Sequence, residues 1–283
     1  MDKLLCIVGP TGTGKTARAI MESLQSPSII VSADSRQVFR GMNIVTGKDH
    51  PKDTQVYGID IVDPDQPVSV AVWYDAVIPH IHTAWETGKQ VILVGGTGLY
   101  LKAITQGIAT MQVPINQSLR DELNEYTVSR LQDSLQHLNS DKLRSMNESD
   151  HHNPRRLIRA IEIEQFNLQD LNTSSLTTLE IITEFIGLKY TNLESQESAI
   201  RDRVISRLNL GAIDETKNLL KKYDKNLQSM SALGYKSLTK YLAGEFSKDQ
   251  MLNDWVLKEL QYAKRQLTWF RKQSVIWYDV DNK

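Results

Sequence analysis

Short apolar runs alternate with amphipathic segments in the N-terminal part of the chain. Residues 4–8, 28–33 and 91–94 are apolar runs, each followed by a glycine or a polar residue. Runs this short, bounded by turn signals, are typical of buried strands. Residues 15–25 and 72–87 instead carry apolar side chains at helical spacing. Strands that alternate with helices predict a parallel α/β sheet.

The pattern changes after residue 107. Residues 118–165 and 196–283 have helical patterns, residues 181–190 form one more strand-like run, and the polar segment 166–180 is typical of a loop. We therefore predict three parts. These are an α/β core over residues 1–107, a helical insertion over 108–150, and the remainder of the core with C-terminal helices over 151–283.

The first apolar run leads directly into a glycine-rich loop. Its sequence, Gly-Pro-Thr-Gly-Thr-Gly-Lys-Thr, fits the pattern G-x-x-x-x-G-K-[ST] and is followed by a helical segment. Glycines let successive backbone N–H groups point at an anion, and the helix N-terminus adds positive potential. A chance glycine-rich turn is the alternative, and the strand-to-helix context disfavours it. The predicted phosphate-binding residues are Gly9, Pro10, Thr11, Gly12, Thr13, Gly14, Lys15 and Thr16, with Thr16 as the Mg²⁺ ligand.

This P-loop predicts bound phosphates without specifying ATP. In a standard ATPase or kinase an acidic residue at the end of a strand holds Mg²⁺, whereas the third apolar run ends in Gly95-Gly96-Thr97-Gly98. The sequence also has no Asn-Lys-x-Asp motif, which disfavours a GTP switch. The fold prediction is a P-loop NTPase-like parallel sheet flanked by helices, with a helical insertion and a helical C-terminal part. A nucleotide-binding role follows only from the motif.

Polar residues follow the second and third apolar runs as well. Because the carboxyl ends of parallel strands meet at one edge of the sheet, Gly9, Asp34 and Gly95 are expected to lie together where ligands bind. Asp34 then suits a general base or a metal ligand, although an aspartate at this point also suits a helix N-cap. The turn after Gly95 has two interpretations as well, a close approach to a ligand or a tight strand-to-helix connection.

Two segments near residues 151–159 and 264–272 are rich in Arg and Lys. In the second, Leu260, Ala263, Leu267 and Phe270 recur at helical spacing and are expected to face the core. The opposite side is almost free of acids, which favours a nucleic-acid backbone over an ordinary solvated helix face. We refer to this side as the basic face; it consists of Gln261, Lys264, Arg265, Thr268, Arg271 and Lys272.

Composition adds little beyond the class of protein. Of 283 residues, 40% are hydrophobic and 24% charged, as in ordinary globular proteins, and the formal net charge of −1 does not by itself indicate a nucleic-acid partner. Cys6 is the single cysteine, so no internal disulfide can form, which fits a reducing cytoplasm. The sequence contains no apolar stretch near the length of a membrane span. A cytoplasmic protein without a membrane partner is therefore expected.

Taken in order, these motifs resemble those of the tRNA dimethylallyltransferases, also called tRNA isopentenyltransferases. The resemblance runs through most of the chain, and its segments after the P-loop are far more specific than the P-loop itself. The matching pieces are Gly9–Thr16, Ser32–Met42, Asp63-Pro64, Val68-Ser69-Val70, Val94–Tyr100, Asn153–Glu162, Gly234-Tyr235-Lys236 and Lys264–Arg271. Phe39 and Gly47 depart from the family, which usually has Tyr and Ala there.

The resemblance implies a reaction and a set of roles. The P-loop and Mg²⁺ would bind the diphosphate of dimethylallyl diphosphate, and the acceptor would be the exocyclic N6 amine of the adenosine 3′-adjacent to the tRNA anticodon. Asp34 would be the general base, with Lys15 and Thr97 close to the chemistry. The insertion would embrace the anticodon stem of the tRNA, bound by a monomer. The implied tRNA contacts are Asp34, Ser35, Arg36, Gln37, Thr97, Arg120, Arg155, Arg156, Arg159, Gly234, Tyr235, Lys236, Lys264, Arg265, Gln266, Thr268, Trp269 and Arg271.

Three other functions compete with this one at the level of sequence. An enzyme that prenylates free adenine nucleotides would share the P-loop and Asp34 but would not need the basic face. A small-molecule kinase would need ATP and a strand-end acid. A non-catalytic RNA-binding module would explain the basic segments and leave the P-loop without a role.

Overall fold

The computed structural model describes residues 2–48, 54–166 and 181–281. Contacts divide the chain into two units, Met1–Gly107 with Leu179–Lys283, and Ile108–Thr178. The loop predicted over residues 166–180 lies outside the described residues apart from Phe166.

The first unit is built on a parallel sheet of six strands. The strands are β1 (Asp2–Val8), β2 (Ser28–Ser32), β3 (Val56–Tyr57), β4 (Gln90–Val94), β5 (Ile181–Lys189) and β6 (Ile276–Asp279). Their order across the sheet is β3-β2-β4-β1-β5-β6, and every neighbouring pair is parallel. The predicted α/β fold is therefore confirmed.

Helices connect these strands and continue to the C-terminal part of the first unit. They are α1 (Lys15–Ser23), α2 (Val70–Glu86), α3 (Gly98–Thr105), then α9 (Leu193–Asn209), α10 (Ala212–Leu220), α11 (Leu233–Leu242) and α12 (Lys248–Phe270). The helices numbered between α3 and α9 belong to the second unit and are described below. Among the described residues, none of the helices combines the length and hydropathy needed to cross a bilayer.

The core of the sheet forms from the apolar runs that the sequence shows. Leu5, Ile7, Ile30 and Ile92 are buried together, and Ala19 of α1 packs onto them. On α2, Trp73 is fully buried, its ring stacks on Tyr100 at 4.3 Å between centroids, and its indole N–H donates to the Ser32 carbonyl at 3.0 Å. These contacts fix the carboxyl end of β2, where the candidate site begins.

Two strands were not expected from the sequence. The prediction of helices throughout residues 196–283 is wrong at β6, whose four residues pair with β5 from Ile186↔Ile276 to Lys189↔Asp279. β3 has only two residues. Both lie at the edges of the sheet, and strands this short carry too little periodicity to distinguish them from a loop or a helix end.

The second unit is helical, with α4 (Gln117–Asn124), α5 (Val128–Leu138), α6 (Ser140–Ser145), α7 (Glu148–His151) and α8 (Pro154–Gln165). The insertion predicted from the sequence ends at residue 150, whereas this unit includes α8. The reason is packing, because Leu157 and Ile161 of α8 are buried in one cluster with Leu123, Leu131 and Leu135.

A buried carboxylate joins the two ends of this unit. The side chain of Glu162 is only 2% exposed and pairs with Arg120 at 2.7 Å and with Arg159, and Glu162 Oε1 accepts the backbone N–H of Asn116 at 2.7 Å. Burial alone would raise the pKa of Glu162, but the hydrogen bonds from the two arginines hold it below its ordinary value of 4.5. This depressed pKa stabilises the fold above pH 4.5, and the contribution is lost as the pH falls through the folded pKa.

We expect Glu162→Ala to destabilise the second unit by about 3 kcal/mol at neutral pH, because it leaves two arginines near a partly buried site without their carboxylate. Hydrogen exchange of the α4–α8 amides measures this locally. The control is Glu148→Ala, whose carboxylate is 88% exposed beside His152 and is worth under about 1 kcal/mol. Equal protection in both variants would contradict the assignment.

Candidate active site

Three turns meet at the carboxyl edge of the sheet. The P-loop follows β1, the segment from Ala33 to Gln37 follows β2, and the segment from Gly95 to Thr97 follows β4. Backbone hydrogen bonds extend the sheet into these turns, from Ala33 N to Val94 O at 2.7 Å, Gly95 N to Ile7 O at 3.2 Å and Thr97 N to Ala33 O at 3.1 Å. As expected, Gly9, Asp34 and Gly95 therefore lie after the carboxyl ends of their strands at one edge of the sheet.

A cavity of about 430 Å³ opens at this edge, and all of its lining belongs to the first unit. Side chains of both charges line it. The cations are Lys15, Arg36, Arg203, Arg207 and Arg265, and the acids are Asp34 and Glu259. The excess of positive charge suits a ligand with several negative charges.

The P-loop connects β1 to α1, the strand-to-helix context that its sequence predicts. Gly14 adopts a left-handed conformation (φ 79°) just before α1, which directs the N-terminus of the helix toward the loop. The Thr13 hydroxyl donates to the Pro10 carbonyl at 3.0 Å, and Lys15 Nζ donates to the same carbonyl at 2.7 Å. Lys15 and Thr16 both line the cavity.

The pKa of Lys15 is lowered from 10.5 to about 8, mainly by desolvation on burial and then by the positive charge of Arg203. The negative charges of Asp34 and Glu259 act in the opposite direction. Because burial has already removed most water from the Lys15 ammonium, binding an anion costs it little further desolvation.

Asp34 is half-buried on the same cavity. Its Oδ1 accepts the backbone N–H of Arg36 at 2.9 Å, so the carboxylate caps the turn after β2. No helix begins in the described residues directly after Asp34, so the helix N-cap alternative is wrong. One oxygen instead caps a turn while the group lines the cavity. The charge of Asp34 also acts on Tyr262. The pKa of this phenol is raised to about 12, mainly by burial and then by the negative charge of Asp34, while a hydrogen bond with Thr97 acts in the opposite direction.

The residues that follow Asp34 make hydrogen bonds to other parts of the protein. The Thr97 hydroxyl oxygen accepts the backbone N–H of Ser35 at 3.1 Å. Gln37 Nε2 donates to Gly47 O at 3.0 Å, and Arg36 Nη1 donates to Ser231 Oγ at 2.9 Å. These contacts fix the wall of the cavity beside Asp34.

Gln266 has a different position from the one expected of a tRNA contact. It is buried on α12, where its Oε1 accepts the N–H of Thr11 at 3.0 Å and its Nε2 donates to Gly96 O at 3.1 Å. An added Cβ on Gly96 would lie 1.8 Å from Gln266 Nε2, and one on Gly98 would lie 2.3 Å from the Trp269 ring. Gly96 and Gly98 therefore allow the close approach of α12, and Gln266 joins the P-loop to the turn after β4.

The basic face of α12 is exposed, as predicted. Gln261, Lys264, Arg265, Thr268, Arg271 and Lys272 are all exposed, while Ala263 and Phe270 are buried on the opposite side. Leu260 and Leu267 are only half-buried. The face is thus available to a partner, and contact with tRNA remains a prediction.

Several other predicted tRNA contacts are engaged within the protein. Tyr235 is fully buried, Gly234 is buried beside it, and only Lys236 of the three is exposed. In the second unit, Arg120 and Arg159 pair with Glu162 as described above, whereas Arg155 and Arg156 are exposed, the latter paired with Asp150.

Sequence reasoning missed the four titratable cavity residues Arg203, Arg207, Glu259 and Tyr262. One signal was present. Ile200, Val204 and Arg207 recur at helical spacing and are all buried on α9, so an arginine occupies a position of the apolar stripe. Arg207 pairs with Glu259 at 3.4 Å, and the indole of Trp255 donates to the same carboxylate at 3.2 Å.

Comparison with known proteins identifies the family of the chain. Residues 37–273 match the family described as IPP transferase. The chain belongs to the IPP transferase family. The match begins after the P-loop and Asp34, but two tRNA dimethylallyltransferases align with 99% of the chain. One is from Halalkalibacterium halodurans (33% identity, 91% of its length) and one is from Alkaliphilus oremlandii (34% identity, 92% of its length).

A solved structure extends the comparison to the fold. The full-length tRNA isopentenylpyrophosphate transferase from Bacillus halodurans superposes with a TM-score of 0.72 at 34% identity, covering 99% of this chain and 90% of its own. As a member of the IPP transferase family, the protein is an enzyme of the tRNA dimethylallyltransferase type. The kinase and the non-catalytic RNA-binding module considered from the sequence are thereby superseded.

We expect Gln266→Ala to destabilise the first unit by roughly 1–3 kcal/mol, because the Thr11 N–H and the Gly96 carbonyl lose their partner in a buried place. Urea unfolding followed by tryptophan fluorescence measures the loss. The matched control is Gln261→Ala, an exposed glutamine one and a half turns earlier on the same helix. A Gln266 variant as stable as this control would contradict the linking role.

Proposed function

We propose that this IPP transferase moves a dimethylallyl group from dimethylallyl diphosphate to the N6 amine of the adenosine 3′-adjacent to the anticodon in tRNA. The observation that carries the proposal is one cavity lined by both the P-loop residues Lys15 and Thr16 and the carboxylate of Asp34. A diphosphate held at one end and a base at the other suit displacement of diphosphate by an amine.

The leaving group needs compensation for its developing negative charge. Lys15, the P-loop amides and the N-terminus of α1 offer positive charge and dipoles at that end of the cavity. Arg203 and Arg207 line the same cavity and would add to this potential. Charge on the departing oxygens is thus met where the P-loop binds them.

A magnesium ion fits this donor set with the diphosphate supplying most ligands. Among the described residues, no three His, Cys, Asp or Glu side chains cluster closely enough to hold a metal ion. Mg²⁺ is commonly held by one or two protein oxygens together with substrate phosphates and water. The Thr16 hydroxyl is the protein ligand proposed here, and the ion would supply further positive charge against the leaving diphosphate.

The acceptor end of the proposal rests on Asp34. The adenine N6 amine is a weak nucleophile, because its lone pair is delocalised into the ring. Removal of its proton as the C–N bond forms avoids a cationic product, and the Asp34 carboxylate is the acid of the predicted motifs that lines the cavity. For the base to enter, the nucleotide must leave its stack, which costs least in a loop such as the anticodon loop.

Mass spectrometry of tRNA nucleosides tests the whole proposal. The pure protein is mixed with dimethylallyl diphosphate, Mg²⁺ and tRNA that lacks the modification, and the tRNA is then digested. An adenosine heavier by one dimethylallyl group is expected. Modification of AMP in preference to tRNA would refute the acceptor, and no mass change with tRNA that a related enzyme can modify would refute the reaction.

The lowered pKa of Lys15 gives a prediction for pH. Because the pKa of Lys15 is lowered to about 8, Lys15 loses its charge progressively around this pH, and the affinity for inorganic diphosphate should fall as the pH rises through about 8. Calorimetry from pH 6.5 to 9.5 measures the dependence. Lys15→Met is the reference protein. Diphosphate itself also ionises in this pH range, and this contribution is the same in both proteins, so the difference between the two profiles reports Lys15. Parallel profiles for the two proteins would contradict the shifted pKa.

The exposed basic face gives a prediction for tRNA affinity. Lys264→Ala and Arg271→Ala should each weaken tRNA binding and reduce the slope of log affinity against log salt by roughly 0.7–0.9, the value for one phosphate contact. Lys248→Ala, an exposed lysine at the opposite end of α12, serves as the control. Slopes equal to that of the control would show that the face is only solvated.

A further inference from the structure

A carboxylate far along the chain caps the turn that follows Asn43. The turn closes with hydrogen bonds from Gly47 N to Ile44 O at 3.1 Å and from Lys48 N to Asn43 O at 2.9 Å. Its first three N–H groups donate to Glu215 of α10, from Asn43 at 2.9 Å, Ile44 at 2.7 Å and Val45 at 3.0 Å. Glu215 therefore works as a capping residue supplied by another element, satisfying donors at the start of the turn.

The same carboxylate is tied to α11. The Tyr235 hydroxyl donates to Glu215 Oε1 at 2.7 Å, and the Tyr235 side chain is fully buried. Burial, and after it the charge of Glu215, raises the pKa of this phenol well above its ordinary value. The Tyr235 hydroxyl thus keeps its proton and remains a hydrogen-bond donor to Glu215 at any working pH.

Glu215 joins two segments that form part of the cavity wall. Val45, Thr46 and Gly47 line the cavity from the turn, and Ala232, Leu233 and Gly234 line it at the start of α11. The two segments are in direct contact, since a Cβ added to Gly234 would lie 2.6 Å from Val45 Cγ1. Four hydrogen bonds to one carboxylate hold both segments in register.

The far end of the turn limits the space of two arginines. Gly47 has φ +63°, and a Cβ built on it would lie 2.3 Å from Arg207 Nη2 and 2.5 Å from Arg203 Nη2. Both guanidinium groups share the cavity with Lys15 and Thr16. A shift of the turn therefore changes the room available to two cations beside the P-loop.

We infer that Glu215 is a positioning residue for the phosphate end of the active site. Its carboxylate sets the place of the 43–47 turn and, through Gly47, the places of Arg203 and Arg207. This inference rests on the proposed function in one respect, that diphosphate occupies the cavity beside Lys15. Glu215 itself acts through backbone N–H groups and does not touch the ligand.

The test compares binding of inorganic diphosphate by calorimetry in four proteins. Glu215→Gln keeps the shape of the side chain but removes its charge and presents an NH₂ group to backbone donors, so we expect affinity about tenfold weaker. Tyr235→Phe removes one of the four hydrogen bonds and should weaken affinity about threefold. The matched control is Asp214→Asn, an exposed neighbour on α10 that should bind like the wild type.

Steady-state kinetics separates positioning from general loss of structure. In Glu215→Gln the KM for dimethylallyl diphosphate should rise about tenfold while the KM for tRNA stays within twofold. A lower melting temperature with unchanged diphosphate affinity would overturn the inference, because it would make Glu215 purely structural. If Glu215→Gln fails to fold, an unchanged affinity in Tyr235→Phe overturns it instead. Wild-type protein that binds no diphosphate would refute the proposed donor site itself, a distinct result.

Discussion

The structure of the active site depends on the meeting of three parallel strands at one edge. In a parallel sheet every carboxyl end lies on the same side, so the turns after β1, β2 and β4 converge without any special contact. Backbone hydrogen bonds then continue beyond the strands, and Thr97 N to Ala33 O at 3.1 Å is one of them. The sheet thereby places the P-loop, the Asp34 carboxylate and the glycine turn beside one another. Side chains then refine the arrangement that the backbone sets.

Helix α12 uses two of its sides for separate purposes. From the buried side, Gln266 reaches two of the converging turns and Trp269 packs on Gly98. The exposed side carries the cations of the basic face. One helix thus fixes the geometry of the cavity on its buried side and exposes a row of cations on the other. If the proposed tRNA contact holds, this single element would connect the cavity to the tRNA.

Much of this was visible in the sequence, because it follows from local pattern. Short apolar runs identified β1, β2 and β4, and the P-loop motif with its flanking strand and helix identified the loop that lines part of the cavity. The position of Asp34 followed from topology alone. Contacts between distant segments carry no such local signal. Gln266 has the sequence context of a basic surface helix and yet is buried, and the end of the insertion depends on the packing of α8.

Some site residues could have been found with closer attention to burial. Arg207 falls on the apolar stripe of α9, and a charged residue on such a stripe indicates a buried partner, here Glu259. Glu215 gives no comparable signal, since an acid in the first turn of a helix is ordinary. Its contacts with residues 43–45 span about 170 positions of the chain and are evident only in the folded protein.

The central claim is that Asp34 removes the proton from the acceptor across a cavity whose other end holds diphosphate. The most direct test is the single-turnover rate of prenyl transfer in Asp34→Asn at saturating dimethylallyl diphosphate and tRNA, with the exposed Asp65→Asn as control. The account predicts a rate lower by roughly 10²–10⁴, with affinity for inorganic diphosphate within about twofold of the wild type. A rate close to that of the Asp65 control would contradict it.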